Sequence, residues 1–193
     1  TTLITVEGVL LSLPKSQPEK IVILGDTGCR VQNRLAQACN DPDAWPFARI
    51  ARSAAAWRPN LVIHLGDYFY RDSPCPIGNV SCAGSPWGDN WAVAQADFFS
   101  PARPLLQVAP WIFVRGNHEA CGRTGEAWFR LLDPRPLREQ CTDATQPYVV
   151  PFGERDLFVL DTTNAHDSVP HPDSVTYFAR QFSTLAEQSK RPA

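Results

Sequence analysis

Three short apolar segments of this 193-residue chain stop in the same way. "IVIL" runs into Gly25-Asp26-Thr27-Gly28, "LVIHL" into Gly66-Asp67-Tyr68-Phe69-Tyr70, and "WIFVR" into Gly116-Asn117-His118-Glu119. Each segment is rich in β-branched or aromatic residues and is cut off by glycine, the pattern of a short buried strand. Glycine lets the backbone turn sharply and approach a neighbour closely. In open α/β sheets, ligands bind just beyond the carboxyl ends of the strands. The polar residues after these glycines are therefore expected to converge in one crevice.

The segments between them supply the rest of an α/β layout. Residues 157–161, "LFVLD", read as a fourth strand. Residues 46–58 place Phe47, Ile50, Ala51, Ala54 and Trp57 at helical spacing behind Pro46. Residues 89–99 and 125–132 read as further helices, the second ending before Pro134. Residues 174–190 carry Val175, Phe178, Ala179, Phe182, Leu185 and Ala186 on one expected apolar face. Strands alternating with helices indicate a layered α/β architecture. The stretch 1–19 reads as an edge strand or hairpin, and 20–193 as the α/β core of a single domain 1–193. Residues 67–89 form a long loop rich in Pro, Gly, Asp and Cys, of a length that is usually functional in compact domains.

Composition excludes several classes of protein. A net charge of −2 provides no general attraction to nucleic acid or anionic lipid. No apolar run is long enough to span a bilayer. The chain contains no methionine, and its first residues lack a signal peptide's basic start and cleavage site, so an upstream segment is expected. Its six cysteines form no C-x-x-C pair. They fall into three sequence-local couples, Cys29 with Cys39, Cys75 with Cys82, and Cys121 with Cys141. These couples favour disulfides and an oxidising compartment, hence a secreted or periplasmic protein. Sequence leaves fifteen connectivities open, and six free buried thiols are the alternative.

The strand ends carry the chemistry. Two carboxylates, a phenol, an amide and an imidazole in one crevice would repel or go unsatisfied without a cation between them. Hard oxygen donors with imidazole suit iron, manganese or zinc. Two ions sharing the Asp67 carboxylate, with Tyr70 supplying a phenolate to the more charged one, would account for the whole set.

The ordered motifs Gly25-Asp26-Thr27-Gly28, Gly66-Asp67-Tyr68-Phe69-Tyr70 and Gly116-Asn117-His118-Glu119 resemble the calcineurin-like metallophosphoesterase superfamily. Within it, their order is most similar to that of the purple acid phosphatases. The resemblance covers residues 20 to 190 or so and rests on fewer than a dozen residues. It implies a layered αββα metallophosphoesterase sandwich. It also implies a dinuclear centre of Fe(III) and a divalent Zn, Fe or Mn ion that activates water for attack on a phosphate monoester or diester. Asp26 and Tyr70 would hold the first metal, Asp67 would bridge, and Asn117 would hold the second through its amide oxygen. His118 would face the substrate as general acid or as electrostatic partner of the phosphate. The partner implied is a small-molecule or nucleotide phosphate ester. The family supplies further histidine ligands from a V-x-x-H and a G-H-x-H stretch, which this chain lacks. The resemblance thus implies an amino-terminal part of the domain, with the remaining ligands from a continuation or another chain.

Other readings accompany these. "GDTG" alone could open a nucleotide-binding loop, but the third spaced glycine is missing. A nucleotide or phospholipid phosphodiesterase is a second hydrolase reading, and a non-catalytic domain that keeps only the fold is a third. His64, inside its strand, reads as a satisfied core histidine. His166 and His171 sit in a Pro-rich loop at a spacing that fits no ligand pattern. Arg71, Asp72, Asp89, Asn90 and Arg115 read as solvated polar groups within reach of substrate.

Overall fold

The elements of the chain, in order, are strands β1 (Ile4–Val6), β2 (Val9–Leu11), β3 (Ile21–Leu24), β4 (Val31–Gln32) and β5 (Leu35–Ala36), then helix α1 (Phe47–Ala56) and β6 (Leu61–His64). Helices α2 (Trp91–Ala94) and α3 (Ser100–Leu106), β7 (Trp111–Phe113), α4 (Gly125–Leu131), strands β8 (Tyr148–Phe152) and β9 (Arg155–Val159), and α5 (Pro172–Gln188) follow. The structure is a computed structural model that describes residues 4–189, apart from positions 7, 12, 34 and 166–171. His166 and His171 lie outside the described residues.

The central sheet has the order β3-β6-β7, and both pairings are parallel. Parallel neighbours need crossover connections, and α1 and the α2–α3 segment supply them. The period-two alternation of the strands divides their side chains between two faces. Val22, Leu24, Val62, Trp111 and Phe113 turn toward the helices and meet Phe47, Ala51, Phe98, Ala102 and Leu105. Leu61, Ile63, Ile112 and Val114 turn the other way, onto Tyr148, Val150, Leu157 and Val159 of the antiparallel β8–β9 hairpin. Helix α5 packs on that hairpin. The layers are helix, sheet, sheet and helix.

Several elements depart from the sequence expectation. Helix α3, which the sequence reading did not include, contains Pro101 and Pro104. Pro101 lies in the first turn, where proline is tolerated, whereas Pro104 stands inside the helix, and a wider π-type turn at Gln95–Phe99 precedes α3. β8 lacks a clear strand signal because it holds Pro151, which sits one residue from the hairpin turn. The expected 157–161 strand begins earlier, at Arg155, and ends at Val159.

The two amphipathic helices bury less of their apolar stripes than their spacing predicts. In α1 only Phe47 and Ala51 are buried, and Ile50 and Trp57 are exposed. In α5 the buried residues are Ser174, Gln181 and Leu185, whereas Val175 and Phe182 face outward. Hydrogen bonds set this rotation. Asp161 N–H donates to Gln181 Oε1 at 2.8 Å, and Gln181 Nε2 donates to Asp161 O at 2.6 Å. Ser174 Oγ donates to Asn164 O at 2.6 Å. Leaving those buried backbone groups unpaired would cost about 1–3 kcal/mol each, as much as burying an aliphatic side chain contributes.

Three disulfides join Cys29 to Cys39, Cys75 to Cys82 and Cys121 to Cys141. The Cys75–Cys82 bond lies within the long loop that leaves the sheet at Asp67. All three bonds fit an oxidising compartment. No helix among the described residues is long and apolar enough to cross a membrane.

Candidate active site

The parallel pairing of β3 and β6 continues past the strands and delivers two aspartates side by side. Leu65 N–H donates to Leu24 O at 2.8 Å, Asp26 N–H to Gly66 O at 3.1 Å, and Thr27 N–H to Asp67 O at 3.1 Å. Both aspartates sit in the left-handed backbone region, Asp26 at φ 53° and Asp67 at φ 64°. Aspartate tolerates that region better than most residues, and strain of this kind gathers at functional sites. Two glycines allow the approach. Gly66, at φ 107°, passes so close to Gly116 that a Cβ on it would lie 2.7 Å from the Gly116 backbone. A Cβ on Gly116 would strike the Asp67 carboxylate and come within 2.5 Å of the Asp67 nitrogen.

One phenol ties the carboxylates together. Tyr70 Oη donates to Asp26 Oδ1 at 2.7 Å and lies 2.9 Å from Asp67 Oδ2. Burial, with Asp26 and Asp67 alongside, raises the phenol's pKa far above its ordinary value, so without a nearby cation it keeps its proton. The third strand end adds Asn117 and His118. The Asn117 amide meets the Asp67 carboxylate at 3.1 and 3.2 Å with its nitrogen donating. His118 N–H donates to Asp67 Oδ1 at 3.0 Å, and the His118 ring lies against Tyr70 with centroids 3.7 Å apart.

Glu119 is the keystone of these turns. Fully buried, it accepts from Gly116 N–H at 3.0 Å, Asp67 N–H at 2.9 Å and Tyr68 N–H at 2.8 Å. Burial, and then the charge of Asp67, push its pKa up to about 7. Arg123 caps the cluster, with Nη2 at 2.6 Å from His118 Nδ1, 3.1 Å from His118 Nε2 and 2.7 Å from Asp72 Oδ2. An arginine only donates, so a neutral His118 ring accepts from it through one nitrogen and carries its proton on the other. Burial lowers the His118 pKa, and the Arg123 charge adds to that effect against Asp67.

Residues 19–189 match the calcineurin-like phosphoesterase family. The chain belongs to this family. Among solved structures it is similar to a purple acid phosphatase from seeds of yellow lupin (Lupinus luteus), at 16% identity and a TM-score of 0.47. The similarity covers 91% of this chain and 29% of the lupin one, so the chain spans under a third of that protein. No curated protein sequence matches it.

The donors of this calcineurin-like phosphoesterase chain meet part of a metal centre's needs. Asp26, Asp67, Tyr70 and Asn117 crowd hard oxygens around one point, where a single phenolic proton now separates two carboxylates. That set suits one hard cation. An amide presents nitrogen to a carboxylate and oxygen to a cation by a half-turn, so the Asn117 position serves both states. Among the described residues, no three His, Cys, Asp or Glu side chains group to hold a metal.

The structure corrects the surface reading of several polar residues. Arg71 and Arg115 are buried, the first paired with Asp97 at 2.5 Å. Arg115 donates from Nε and Nη2 to Glu119 O at 3.0 and 2.8 Å. Asp89 accepts from Glu126 and Ala127 N–H at 2.8 and 2.9 Å, capping α4 from another loop. Asn90 is exposed, as read from the sequence, and its side chain accepts from Val93 N–H at 3.1 Å to cap α2. Asp72 pairs with Arg123. His64 is a satisfied core histidine, with Nδ1 accepting from Gly66 N–H at 3.2 Å and Nε2 lying 2.8 Å from Thr27 Oγ1.

Sequence reading missed the roles of Asp97 and Arg123. Asp97 sits in a helical stretch with no motif around it, so only its burial reveals it. Arg123, five residues after His118, carried a signal of proximity alone.

Proposed function

We propose that the chain contributes the Asp26, Asp67, Tyr70 and Asn117 side of a metal centre in a phosphoric ester hydrolase. In this reading Asp26 and Tyr70 hold Fe(III), Asp67 bridges, and Asn117 reaches a divalent Zn, Fe or Mn ion. The observation that carries it is the convergence of Asp26 and Asp67 on the one Tyr70 hydroxyl, with the His118 ring lying tilted against the same phenol. Bound there, the metals would supply positive charge for the transferring phosphoryl group and lower the pKa of water toward neutrality.

The chain's own groups have definite tasks. Loss of the Tyr70 proton to a cation's field leaves a phenolate between two carboxylates, an arrangement that needs the added positive charge. His118, held beside the Arg123 donor, can pass its ring proton to a departing alkoxide. Glu119 keeps Asp67 in its left-handed turn, and Asp72 holds Arg123 in place. The substrate is a small-molecule or nucleotide phosphate ester, and the three disulfides support a secreted or periplasmic setting.

The test is metal content per chain on protein purified without chelator, together with its visible spectrum. The reading expects bound iron and a phenolate-to-iron absorption that disappears in Tyr70→Phe. Protein that takes up no metal would sink it. A second reading, a non-catalytic domain with the family fold, draws on the lack of a three-residue His, Cys, Asp or Glu group among the described residues. Chelator-sensitive hydrolysis of chromogenic monoester or diester substrates would exclude that reading and would also separate the two ester classes.

A further inference from the structure

Beside the Asp26–Tyr70 pair opens a cleft of about 420 Å³, bordered on its other side by Arg30, Leu35 and Ala36. We propose that Arg30 makes this cleft a second anion subsite, one that selects phosphate esters carrying a further phosphoryl group. The proposal rests on the hydrolase reading, since it takes the Asp26–Tyr70 pair as the place of the scissile phosphate.

Arg30 differs from the other arginines around the site. Arg71, Arg115 and Arg123 each pair with a carboxylate, at 2.5, 3.5 and 2.7 Å. Arg30 is exposed and, among the described residues, its guanidinium has no ion pair and no hydrogen-bond acceptor. Its guanidinium stands over the face of Tyr70, the guanidinium carbon 5.3 Å from the ring centre. A cation on an aromatic face is held in orientation while its donors stay open. The planar donor fork matches a phosphoryl group in bidentate fashion.

The backbone that carries Arg30 is fixed. Arg30 N–H donates to Gln37 Oε1 at 3.2 Å, Gln37 N–H donates to Arg30 O at 2.8 Å, and Gln37 Nε2 donates to Ala44 O at 2.8 Å. The Cys29–Cys39 disulfide closes the base of the same loop. Gln37 thus holds the wall and leaves Arg30 as the cationic group that faces the cleft. The Asp26 carboxylate on the opposite border would repel a lone anion, so an added positive charge is needed for a phosphoryl group to settle here. Leu35, 66% exposed on the β4–β5 ribbon, adds an apolar wall for the part of the substrate between its two phosphoryl groups. Nucleoside diphosphates and bisphosphorylated sugars share this chemistry.

Calorimetric titration of the protein as purified with inorganic tripolyphosphate and with orthophosphate, in wild type and Arg30→Gln, tests the subsite. The expected result is a loss of about tenfold in tripolyphosphate affinity in the variant, with orthophosphate affinity changed less than about twofold. Equal losses for both anions, no loss for either, or no tripolyphosphate binding by wild type would overturn it. Competition with ADP and with fructose 1,6-bisphosphate then identifies the source: displacement of tripolyphosphate by either one supports the subsite, and displacement by neither overturns it. Failure of the hydrolase reading would appear separately, as absence of 4-nitrophenyl phosphate turnover in both proteins while the tripolyphosphate difference persists.

Discussion

Asp97 holds Arg71 through a 2.5 Å contact to Nε, both side chains being buried. The same carboxylate accepts from Tyr70 N–H at 3.0 Å and Cys29 N–H at 3.2 Å. One acid on the turn between α2 and α3 thereby anchors the loop after β3 and the loop after β6, the two that supply Asp26 and Tyr70. Burial raises the Asp97 pKa, and the Arg71 charge with the two backbone donors offsets only part of that rise.

Removing this acid strands a buried guanidinium. Asp97→Ala is expected to destabilise the fold by about 3–5 kcal/mol, the cost of breaking a buried pair from one side. Urea denaturation at neutral pH measures it. A loss below about 1 kcal/mol would mean that Arg71 regains solvent or another partner.

The close approach of the strand ends makes a second expectation. Gly116→Ala would drive a methyl group into Asp67, whereas a Cβ at Gly122 meets nothing within 4 Å. Gly116→Ala should cost about 1–3 kcal/mol and weaken metal uptake, and Gly122→Ala should change stability by less than about 0.5 kcal/mol. Equal behaviour of the two variants in denaturation and metal analysis would contradict the packing argument.

The proposed division of labour separates two site residues. Asp67→Asn should abolish metal retention. His118→Ala should keep the metals and slow turnover roughly 10²–10⁴-fold in the active protein. Elemental analysis beside steady-state kinetics checks both, and normal metal content in Asp67→Asn would remove the bridging role.

His64 predicts a pH dependence. Burial lowers its pKa from 6.5 to about 3. Between those values the unfolded chain holds a proton on this ring and the folded chain does not. The unfolded state binds more protons, so this residue's contribution is intact above pH 6.5 or so and falls as the pH drops toward 3, by at most about 1.4 kcal/mol per pH unit. The stability difference between wild type and His64→Gln, followed by denaturation across that range, should narrow with falling pH. A constant difference would show that His64 is protonated in the folded protein.

Much of the site is legible in the amino-acid sequence because its signals are local. Apolar strand, glycine, then Asp26, Asp67 or Asn117 is a pattern of consecutive residues, and parallel strands of one sheet bring their carboxyl ends together. The cysteine pairs at 29 and 39, 75 and 82, and 121 and 141 are likewise short-range. The α/β alternation, the strand ends that converge and the residue types they present therefore follow from sequence alone.

Features that depend on distant partners are settled only in the folded chain. Gln181 and Ser174 face the body because Asp161 and Asn164 offer backbone groups that need them, and no helical periodicity encodes that. Arg71 and Arg115 are buried because carboxylates 26 and 46 residues away in the chain meet them there. Arg30 keeps its donors open beside Tyr70 because, among the described residues, the fold places no carboxylate against it. Charge, burial and hydrogen-bond demand are balanced between segments far apart in sequence, and that balance exists only once the tertiary contacts have formed.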